Sequence, residues 1–260
     1  MDETQTKLKK LRTFNRVMFF LHAAQGVAIL LLSTNFTVPV NASYLTFDVA
    51  TQSLLPASSE LFRMSLAWLV AAFFFISAFA HLSIATYYNK NYNANLLRGL
   101  NKARWWEYSI SASIMLIAIA MLVGIYDFGT LVLIFGLGAA MNMMGLMMET
   151  HNLGVLERGD KPNWLAFKLG SFAGVIPWLI IALGFYWSSR FSGAQPPTFV
   201  YWIYVSIFVF FNCFAINMFL QYKQIGRWRD YLYGERAFII LSLVAKSLLA
   251  WQVFAGTLRP

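Results

Sequence analysis

The chain has 260 residues, of which 59% are hydrophobic, 17% are aromatic and only 12% are charged. Soluble domains carry about 25% charged residues, so this composition excludes an ordinary soluble protein and indicates lipid as the solvent. The net charge of +9 would suggest nucleic acid as a partner of a soluble protein. Here the basic residues fall between apolar runs, so membrane topology explains them and no nucleic acid is expected. The single cysteine, Cys213, excludes an internal disulfide.

Seven apolar runs are long enough to cross a bilayer as helices, for which about 20 mostly apolar residues are needed. The predicted spans are residues 14–33, 62–87, 97–126, 129–149, 164–187, 199–221 and 236–255. No internal repeat and no second domain is recognisable. The sequence therefore predicts an all-α, multi-pass protein of the cell membrane, with one seven-transmembrane-helix bundle formed by residues 1–260.

The one long connection lies between the first two spans. Apolar residues alternate with others from Phe36 to Val40, and a second alternation runs from Tyr44 to Thr46, with Asn41 between them. Alternation of this kind predicts β-strands. We expect the two halves to pair as a small β-hairpin on the membrane surface.

Lys and Arg are distributed unevenly between the two sides of the predicted bundle. Sixteen lie on the side of the N-terminus: Lys7, Lys9, Lys10, Arg12, Arg16, Lys90, Arg98, Lys102, Arg104, Arg158, Lys161, Lys168, Lys223, Arg227, Arg229 and Arg236. The other side has only Arg63, Arg190 and Arg259. Because cytoplasmic loops collect basic residues, we predict a cytoplasmic N-terminus, an external C-terminus and a hairpin in the first external loop.

Lys246 belongs to neither side, since it stands inside the apolar run FIILSLVAKSLLAWQVFA. It follows Arg236 by ten residues, or about 15 Å along a helix, which places it near the bilayer midplane. An ionised lysine at that depth costs at least about 2.5–3.5 kcal/mol. Desolvated lysine amines condense with carbonyl compounds to form Schiff bases, so Lys246 is a candidate for such a modification. The alternative is a structural lysine that pairs with a carboxylate.

Glu107 is the acidic residue best placed to pair with Lys246. It follows Arg98 by nine residues, or about 13.5 Å of helix, whereas the ten other acidic residues are expected in tails, loops or span ends. If the third helix starts late, Glu107 would be interfacial instead. We prefer a buried Glu107, because it supplies the counterion that Lys246 needs.

Further polar residues of the first three spans are predicted to gather on the cytoplasmic side of Lys246. The set comprises His22, Gln25, Ser77, His81, Glu107 and Ser111. Spacings of three or four residues place the members from each helix on one face. Each histidine could instead be an ordinary core residue. A zinc site built from His22, His81 and Glu107 is an alternative that no ligand-spacing motif supports, so no metal is predicted.

The outer half of the third span differs from this polar region. Residues 114–124 read IMLIAIAMLVG and contain no titratable group. The outer end of the seventh span, residues 247–256, also lacks one. We therefore expect no chain of proton carriers from Lys246 to the outside.

A lysine in the seventh span, a carboxylate in the third and aromatic-rich spans resemble the retinal-binding rhodopsins. Ordinary microbial and animal rhodopsins have an external N-terminus, whereas the charge pattern here gives the inverted topology of the heliorhodopsins. Local sequence agrees: FNR at 14–16, RWWEYS at 104–109, QYK at 221–223, GERA at 234–237 and LSLVAKSLLAWQ at 241–252. The chain thus resembles a heliorhodopsin over its whole length.

This resemblance implies retinal as the cofactor, bound to Lys246 as a protonated Schiff base with Glu107 as the counterion and with Ser242 and Ser111 as neighbours. His22 and His81 match two histidines of the family's cytoplasmic polar cavity, and Ser77 and Gln25 match the residues beside them. The residues implied to contact the retinal are Trp105, Tyr108, Met141, Gly145, Pro177 and Phe211. The family also implies a homodimer and an opening from the pocket to membrane lipid.

Two functions follow from these expectations. The first is a sensory or signalling photoreceptor without substantial ion pumping or enzyme activity. Outward proton pumps of the microbial rhodopsin family carry a donor carboxylate eleven residues past the counterion, where Ala118 stands here. The second is a light-driven or light-gated ion transporter, with which the cytoplasmic polar cavity is compatible.

Two further alternatives remain open at this point. One is an enzyme or receptor that ignores light and uses the His/Glu cluster with a metal. The other is a regulator of a cytoplasmic signalling partner that binds the basic loops. The candidate contact residues for such a partner are Lys223, Arg227, Trp228, Arg229 and Tyr231.

Overall fold

The computed structural model describes residues 3–156, 158–191 and 196–259. Asp2 and Glu157, two of the acidic residues predicted outside the spans, lie outside these described ranges. Seven helices within them are long and apolar enough to cross a membrane, which confirms the predicted number of spans. They are α1 (Glu3–Leu32), α2 (Leu66–Ala85), α4 (Lys102–Leu122), α5 (Phe128–His151), α6 (Leu165–Phe191), α7 (Thr198–Tyr222) and α8 (Tyr231–Val253); α3 (Asn89–Leu96) is a short additional helix.

The helices pack mainly against their neighbours in sequence. The principal contacts join α1 with α2, α2 with α4, α4 with α5, α5 with α6, and α7 with α8. Many large apolar side chains point away from the bundle, among them Phe20, Trp68, Phe79, Phe172 and Trp202. Such a surface would drive aggregation in water, but in a bilayer these side chains meet lipid tails.

The predicted hairpin is present, although its strands differ from the prediction. β1 (Thr37–Asp48) contains both predicted halves, and β2 (Ser53–Ser65) supplies its antiparallel partner. The break at Asn41 is a bulge within β1, not the turn. The turn follows Asp48, whose side chain accepts a hydrogen bond from the backbone N–H of Ala50 at 2.9 Å. The second span accordingly begins at Leu66 and not at residue 62.

The third span also begins later than predicted. The chain first forms α3, then turns at Gly99, whose φ of +72° favours glycine, and enters α4 at Lys102. The Asn101 side chain caps α4 by accepting a hydrogen bond from the Arg104 backbone N–H at 3.1 Å. The predicted depth of Glu107 assumed a continuous helix from Arg98, and this assumption was wrong because α4 begins at Lys102. Glu107 is nevertheless buried, with 9% of its surface exposed.

The two ends of the bundle are held by different contacts. At the hairpin end, the Asn41 backbone N–H donates to the carbonyl of Tyr126 at 2.9 Å, and that of Thr34 donates to the carbonyl of Leu258 at 2.7 Å. At the N-terminal end, Lys7 pairs with Asp230 at 2.9 Å.

The half of the bundle towards the hairpin end is apolar. Met115, Leu116, Ile119 and Met121 of α4 are buried in one large hydrophobic cluster that also contains residues of the hairpin, α2, α6, α7 and α8. The polar interior begins on the other side of this cluster, in the half towards the N-terminal end. The sequence prediction of one dry half and one polar half is thus confirmed.

Candidate functional site

Lys246 and Glu107 form an ion pair inside the bundle. The Nζ atom of Lys246 on α8 lies 2.9 Å from Oε1 of Glu107 on α4. Lys246 also donates to the Ser242 hydroxyl at 2.7 Å, and Ser77 on α2 donates to Oε1 of Glu107 at 2.6 Å. Lys246 is only 3% exposed. The predicted pairing is therefore present, and three helices contribute to it.

Local helix geometry explains why these groups meet. Ser242 precedes Lys246 by four residues and so lies one turn away on the same face of α8. The ring of Tyr108, the residue after Glu107, has its centre 5.2 Å from Nζ of Lys246. Losing one partner of a buried ion pair costs about 3–5 kcal/mol, because the other charge is then uncompensated. The two charged side chains therefore depend on each other for burial.

The predicted histidines lie side by side near this ion pair. The rings of His22 and His81 stack with their centres 5.3 Å apart and 9° between their planes. Nδ1 of His81 lies 2.7 Å from Oδ1 of Asn15, a buried residue of α1 that sequence reasoning missed. Within the described residues, neither ring nitrogen of His22 has a hydrogen-bond partner. Buried polar atoms normally have a hydrogen-bond partner, either in the protein or in an ordered water molecule.

Gln25 does not belong to this polar group. Its Oε1 accepts a hydrogen bond from the indole N–H of Trp251 at 3.0 Å, and its amide donates to the carbonyl of Leu21. It therefore joins α1 to α8 away from the histidines, although it lies only three residues after His22. Ser111 is fully buried one helical turn after Glu107, on the face of α4 where it was predicted.

A cavity of about 130 Å³ extends from Lys246 between α4, α5, α6 and α7. Five of the predicted retinal contacts lie on its wall: Trp105, Tyr108, Met141, Gly145 and Phe211. Pro177, the sixth, is buried in α6 but is not part of this wall. Ser242 and Lys246 form one end of the cavity, and most of the remaining wall is apolar.

Gly145 has a specific packing role on this wall. A Cβ atom at this position would lie 2.3 Å from Cζ3 of Trp105, which is closer than real side chains approach. Glycine thus allows the indole ring to pack closely against α5. The cavity is an apolar slot with a single amine at one end, and these residues fit retinal, an elongated apolar aldehyde.

A second buried ionic cluster lies nearer the N-terminal end. The guanidinium of Arg104 on α4 pairs with both Glu149 on α5 and Glu235 on α8. Glu149 also accepts from the Asn101 backbone N–H at 2.8 Å and from the Trp105 indole N–H at 2.7 Å. Each of the two glutamates is only 1% exposed. We call Arg104, Glu149 and Glu235 the arginine cluster.

Sequence reasoning missed the arginine cluster. Arg104 was counted among the charges of a connection, and both glutamates were placed among the acids of tails, loops or span ends. They do lie at the ends of α5 and α8, but their burial was not predicted. It arises because the short helix α3 and the Asn101 cap fold over this region and exclude water. The sequence does contain a signal of buried charge here, since Arg104 in RWWE and Glu235 in GERA each lie beside an apolar run.

A small cavity of about 20 Å³ lies between the two ionic groups. Its wall includes His81, Glu107 and Ser242 on one side and Arg104 and Glu235 on the other. A cavity needs about 10–15 Å³ to hold one water molecule, provided that polar partners surround it. This cavity meets both conditions, so one ordered water can join the two groups.

The metal alternative finds no support in the geometry. Among the residues that the structure describes, no three His, Cys, Asp or Glu side chains are placed to hold one ion. His22, His81 and Glu107 are close to one another but do not form such a set.

Two of the residues proposed to bind a partner face inwards. The Trp228 indole N–H donates to Oδ1 of Asn217 at 2.6 Å. The Tyr231 hydroxyl donates to Oε1 of Glu149 at 3.0 Å. Lys223, Arg227 and Arg229 remain exposed at the N-terminal end. The predicted contact surface is therefore reduced to these three basic side chains.

Solved structures of other proteins share the fold of this chain. The transmembrane domain of a rhodopsin phosphodiesterase from Salpingoeca rosetta matches with a TM-score of 0.65 and 15% identity, over 96% of this chain and 84% of that one. A light-driven proton pump from Leptosphaeria maculans matches with a TM-score of 0.63 and 14% identity, over 98% of this chain and 96% of that one. At such low identity these likenesses establish the fold alone, and that fold is the rhodopsin fold.

The family is established by sequence. The heliorhodopsin family profile matches residues 11–258, so the chain belongs to the heliorhodopsin family. No curated protein matches it in sequence. Membership of this family, together with the fold, supports a multi-pass membrane protein of the retinal photoreceptor kind.

Proposed function

We propose that this heliorhodopsin is a sensory photoreceptor that binds retinal covalently through Lys246 and does not pump ions. The observation that carries the proposal is the buried amine of Lys246, which lies 2.9 Å from Glu107 at one end of an apolar cavity. Retinal bound to Nζ would supply the absorption of visible light and a change of shape on excitation. The remaining chemistry is that of the protein side chains.

Glu107, Ser77 and Ser242 hold the proton at Nζ of Lys246. The carboxylate compensates the positive charge, and Ser77 donates to that carboxylate. Ser242 accepts from Nζ at 2.7 Å. Hydrogen bonds to charged groups contribute about 1.5–3 kcal/mol each, so this arrangement fixes the direction of the N–H bond. A change in the position of Nζ would break these contacts and alter the field at His22 and His81.

The absence of pumping is inferred from the apolar half of the bundle. A pump must move an ion past Lys246 to the opposite side, yet Met115, Leu116 and Ile119 pack tightly towards the hairpin end. Ala118 stands at the position where the related outward pumps carry a carboxylate. A charge that crossed this region would be desolvated without a partner, which is costly.

Ion transport is the alternative, and the polar half of the bundle favours it. The small cavity and the stacked histidines offer sites for a proton or an ion on one side of Lys246. A photocurrent in voltage-clamped cells that express the protein would support transport. A current no larger than that of Lys246→Ala supports the sensory function.

The proposed function includes an orientation and an output. We infer that the N-terminal end is cytoplasmic, on the basis of the uneven distribution of Lys and Arg. A signal would then leave through the exposed Lys223, Arg227 and Arg229 towards a cytoplasmic partner. We also propose, from the family, that the protein is a homodimer and not an enzyme.

The absorption spectrum tests retinal binding. The protein is expressed with all-trans-retinal, purified and compared with Lys246→Ala. We expect a visible band, red-shifted from free retinal, that the variant lacks although it folds with the same helix content. A folded wild-type protein without this band would overturn the proposal.

A further inference from the structure

The buried charges of the polar half do not balance. Glu107, Glu149 and Glu235 are buried, but the only buried cations that pair with them in the described part of the chain are Lys246 and Arg104. Lys246 compensates Glu107, and Arg104 is shared between two carboxylates. Two like charges on one cation in a water-poor site repel each other strongly. The arginine cluster therefore has the capacity to bind one proton.

Glu149 is the more heavily hydrogen-bonded carboxylate of the cluster. It accepts from the Asn101 backbone N–H, the Trp105 indole N–H, the Arg104 guanidinium and the Tyr231 hydroxyl. Of these four donors only the Tyr231 hydroxyl can also accept, and both donors to Oε2 are N–H groups. A proton on Oε2 of Glu149 would therefore face two N–H donors and lose their hydrogen bonds.

Glu235 has a partner that can reverse its role. The Tyr92 hydroxyl lies 3.1 Å from Oε1 of Glu235, and a hydroxyl can either donate or accept. The other contacts of Glu235 are the Arg104 guanidinium and the Asn101 side-chain amide. If Glu235 gains a proton, it can donate to Tyr92 without leaving a buried group unpaired. Glu149 also has a tyrosine hydroxyl partner, but it accepts four hydrogen bonds where Glu235 accepts three, so protonation of Glu235 disturbs fewer contacts.

The cavity of about 20 Å³ distinguishes the two glutamates, because Glu235 is part of its wall and Glu149 is not. The same wall includes Glu107, His81 and Ser242. One water there would connect the ion pair at Lys246 with the arginine cluster. The shortest route for a proton from Nζ is through Oε1 of Glu107, 2.9 Å away, and then through this water.

We propose that Glu235 is a buried proton-binding site, which takes up the proton that leaves Nζ of Lys246 on illumination. The N–H bond at Nζ breaks, and its electron pair stays on the nitrogen. An O–H bond forms on Glu235, and the same route returns the proton. Because Glu235 is 1% exposed, the proton stays inside the protein. This inference rests on the proposed function and specifies which residue receives the proton that leaves Lys246.

Infrared difference spectroscopy of the illuminated pigment tests this proposal. In the state that has lost the Nζ proton, we expect a new carbonyl band of a protonated carboxylic acid, shifted by ¹³C labelling of glutamate. The band is expected to vanish in Glu235→Gln and to persist in Glu149→Gln, the matched control. A band that persists in Glu235→Gln, or its absence from the wild type, would overturn the proposal.

Two conservative variants keep the test valid if Glu235→Gln does not fold. In Glu235→Asp the carbonyl band should remain but lose its sensitivity to labelled glutamate, whereas a band still sensitive to that label would contradict the assignment. In Tyr92→Phe the Glu235 carboxyl group loses its hydroxyl partner, so the frequency of its carbonyl band should shift. An unchanged frequency would contradict the assignment of the band to Glu235. A protein without any visible band would instead refute the proposed function itself.

Discussion

At the scale of single residues, the pair formed by Lys246 and Glu107 determines what the site can do. Replacing Glu107 with Gln removes the charge and keeps the shape. The proton at Nζ then loses its compensating carboxylate in a site from which water is excluded. We expect Glu107→Gln to lose the red-shifted band at neutral pH, as measured by absorption spectroscopy.

Ser77→Ala is the control for this change. It removes the 2.6 Å hydrogen bond to Glu107 but leaves the carboxylate in place. We expect the visible band to remain, with a small shift in its maximum. If Glu107→Gln and Ser77→Ala give the same spectrum as the wild type, Glu107 is not the counterion.

Single residues also show how far sequence reasoning reaches. Lys246 and Glu107 could be predicted because each is a charge within or beside a long apolar run. The burial of Glu149 and Glu235 was harder to predict, since both lie at span ends and are covered by the contacts of Tyr92 and Asn101. Gln25 was misplaced because a spacing of three residues fixes a helix face only to within about 60°. The direction of the Gln25 side chain is set by its tertiary contact with Trp251, which the spacing does not reveal.

At the scale of helices, the arginine cluster joins α4, α5 and α8. Arg104→Gln would leave two buried carboxylates without a cation, at a cost of about 3–5 kcal/mol. We expect a clearly lower melting temperature in detergent, whereas Lys102→Gln, an exposed change on the first turn of α4, should have almost no effect. Equal melting temperatures for the two variants would show that the cluster does not stabilise the bundle.

The hairpin is attached to α5 through Asp127. Its side chain caps α5 by accepting from the Thr130 backbone N–H at 2.8 Å, and it accepts from the Ser43 hydroxyl at 3.1 Å. The Thr130 N–H, with the Thr130 hydroxyl, holds the pKa of this carboxyl below its usual range. We expect Asp127→Ala to lose about 1 kcal/mol of stability and Asp127→Asn, which keeps a cap acceptor, to lose less.

The pH dependence of this cap follows from the direction of its pKa shift. A carboxyl whose pKa is lower in the folded state stabilises the protein above its unfolded-state pKa, and this stabilisation is lost as the pH falls through the folded-state pKa. The difference in melting temperature between wild type and Asp127→Ala should therefore persist at neutral pH and shrink in acid. A difference that grows in acid would contradict the role of the carboxylate.

Element boundaries were the least predictable feature of the fold. The two alternating segments were predicted to be two strands because Asn41 resembles a turn residue, but Asn41 forms a bulge. The second strand, β2, comes instead from the following residues, of which 62–65 were first assigned to a span. The apolar residues of β2 resemble the start of a helix, and only pairing with β1 distinguishes them. For the same reason, Gly99 and Asn101 set the start of α4 in a way that hydropathy cannot reveal.

At the scale of the whole molecule, the number of spans, the dry half and the family all follow from the sequence, because composition is averaged over long segments. Orientation can be tested with single cysteines in a Cys213→Ser background. We expect a membrane-impermeant thiol reagent, added to intact cells, to label Thr51→Cys in the hairpin turn but not Lys161→Cys between α5 and α6. The reverse pattern would show an external N-terminus.

The attachment of retinal to one lysine is tested most directly by mass spectrometry. Borohydride treatment of the retinal-loaded protein reduces a Schiff base to a stable amine, and peptide mapping then locates the added mass. We expect a single modified peptide with the adduct on Lys246, and none in Lys246→Ala. An adduct on another lysine, or an unmodified Lys246 in protein that carries the visible band, would contradict the assignment of the site.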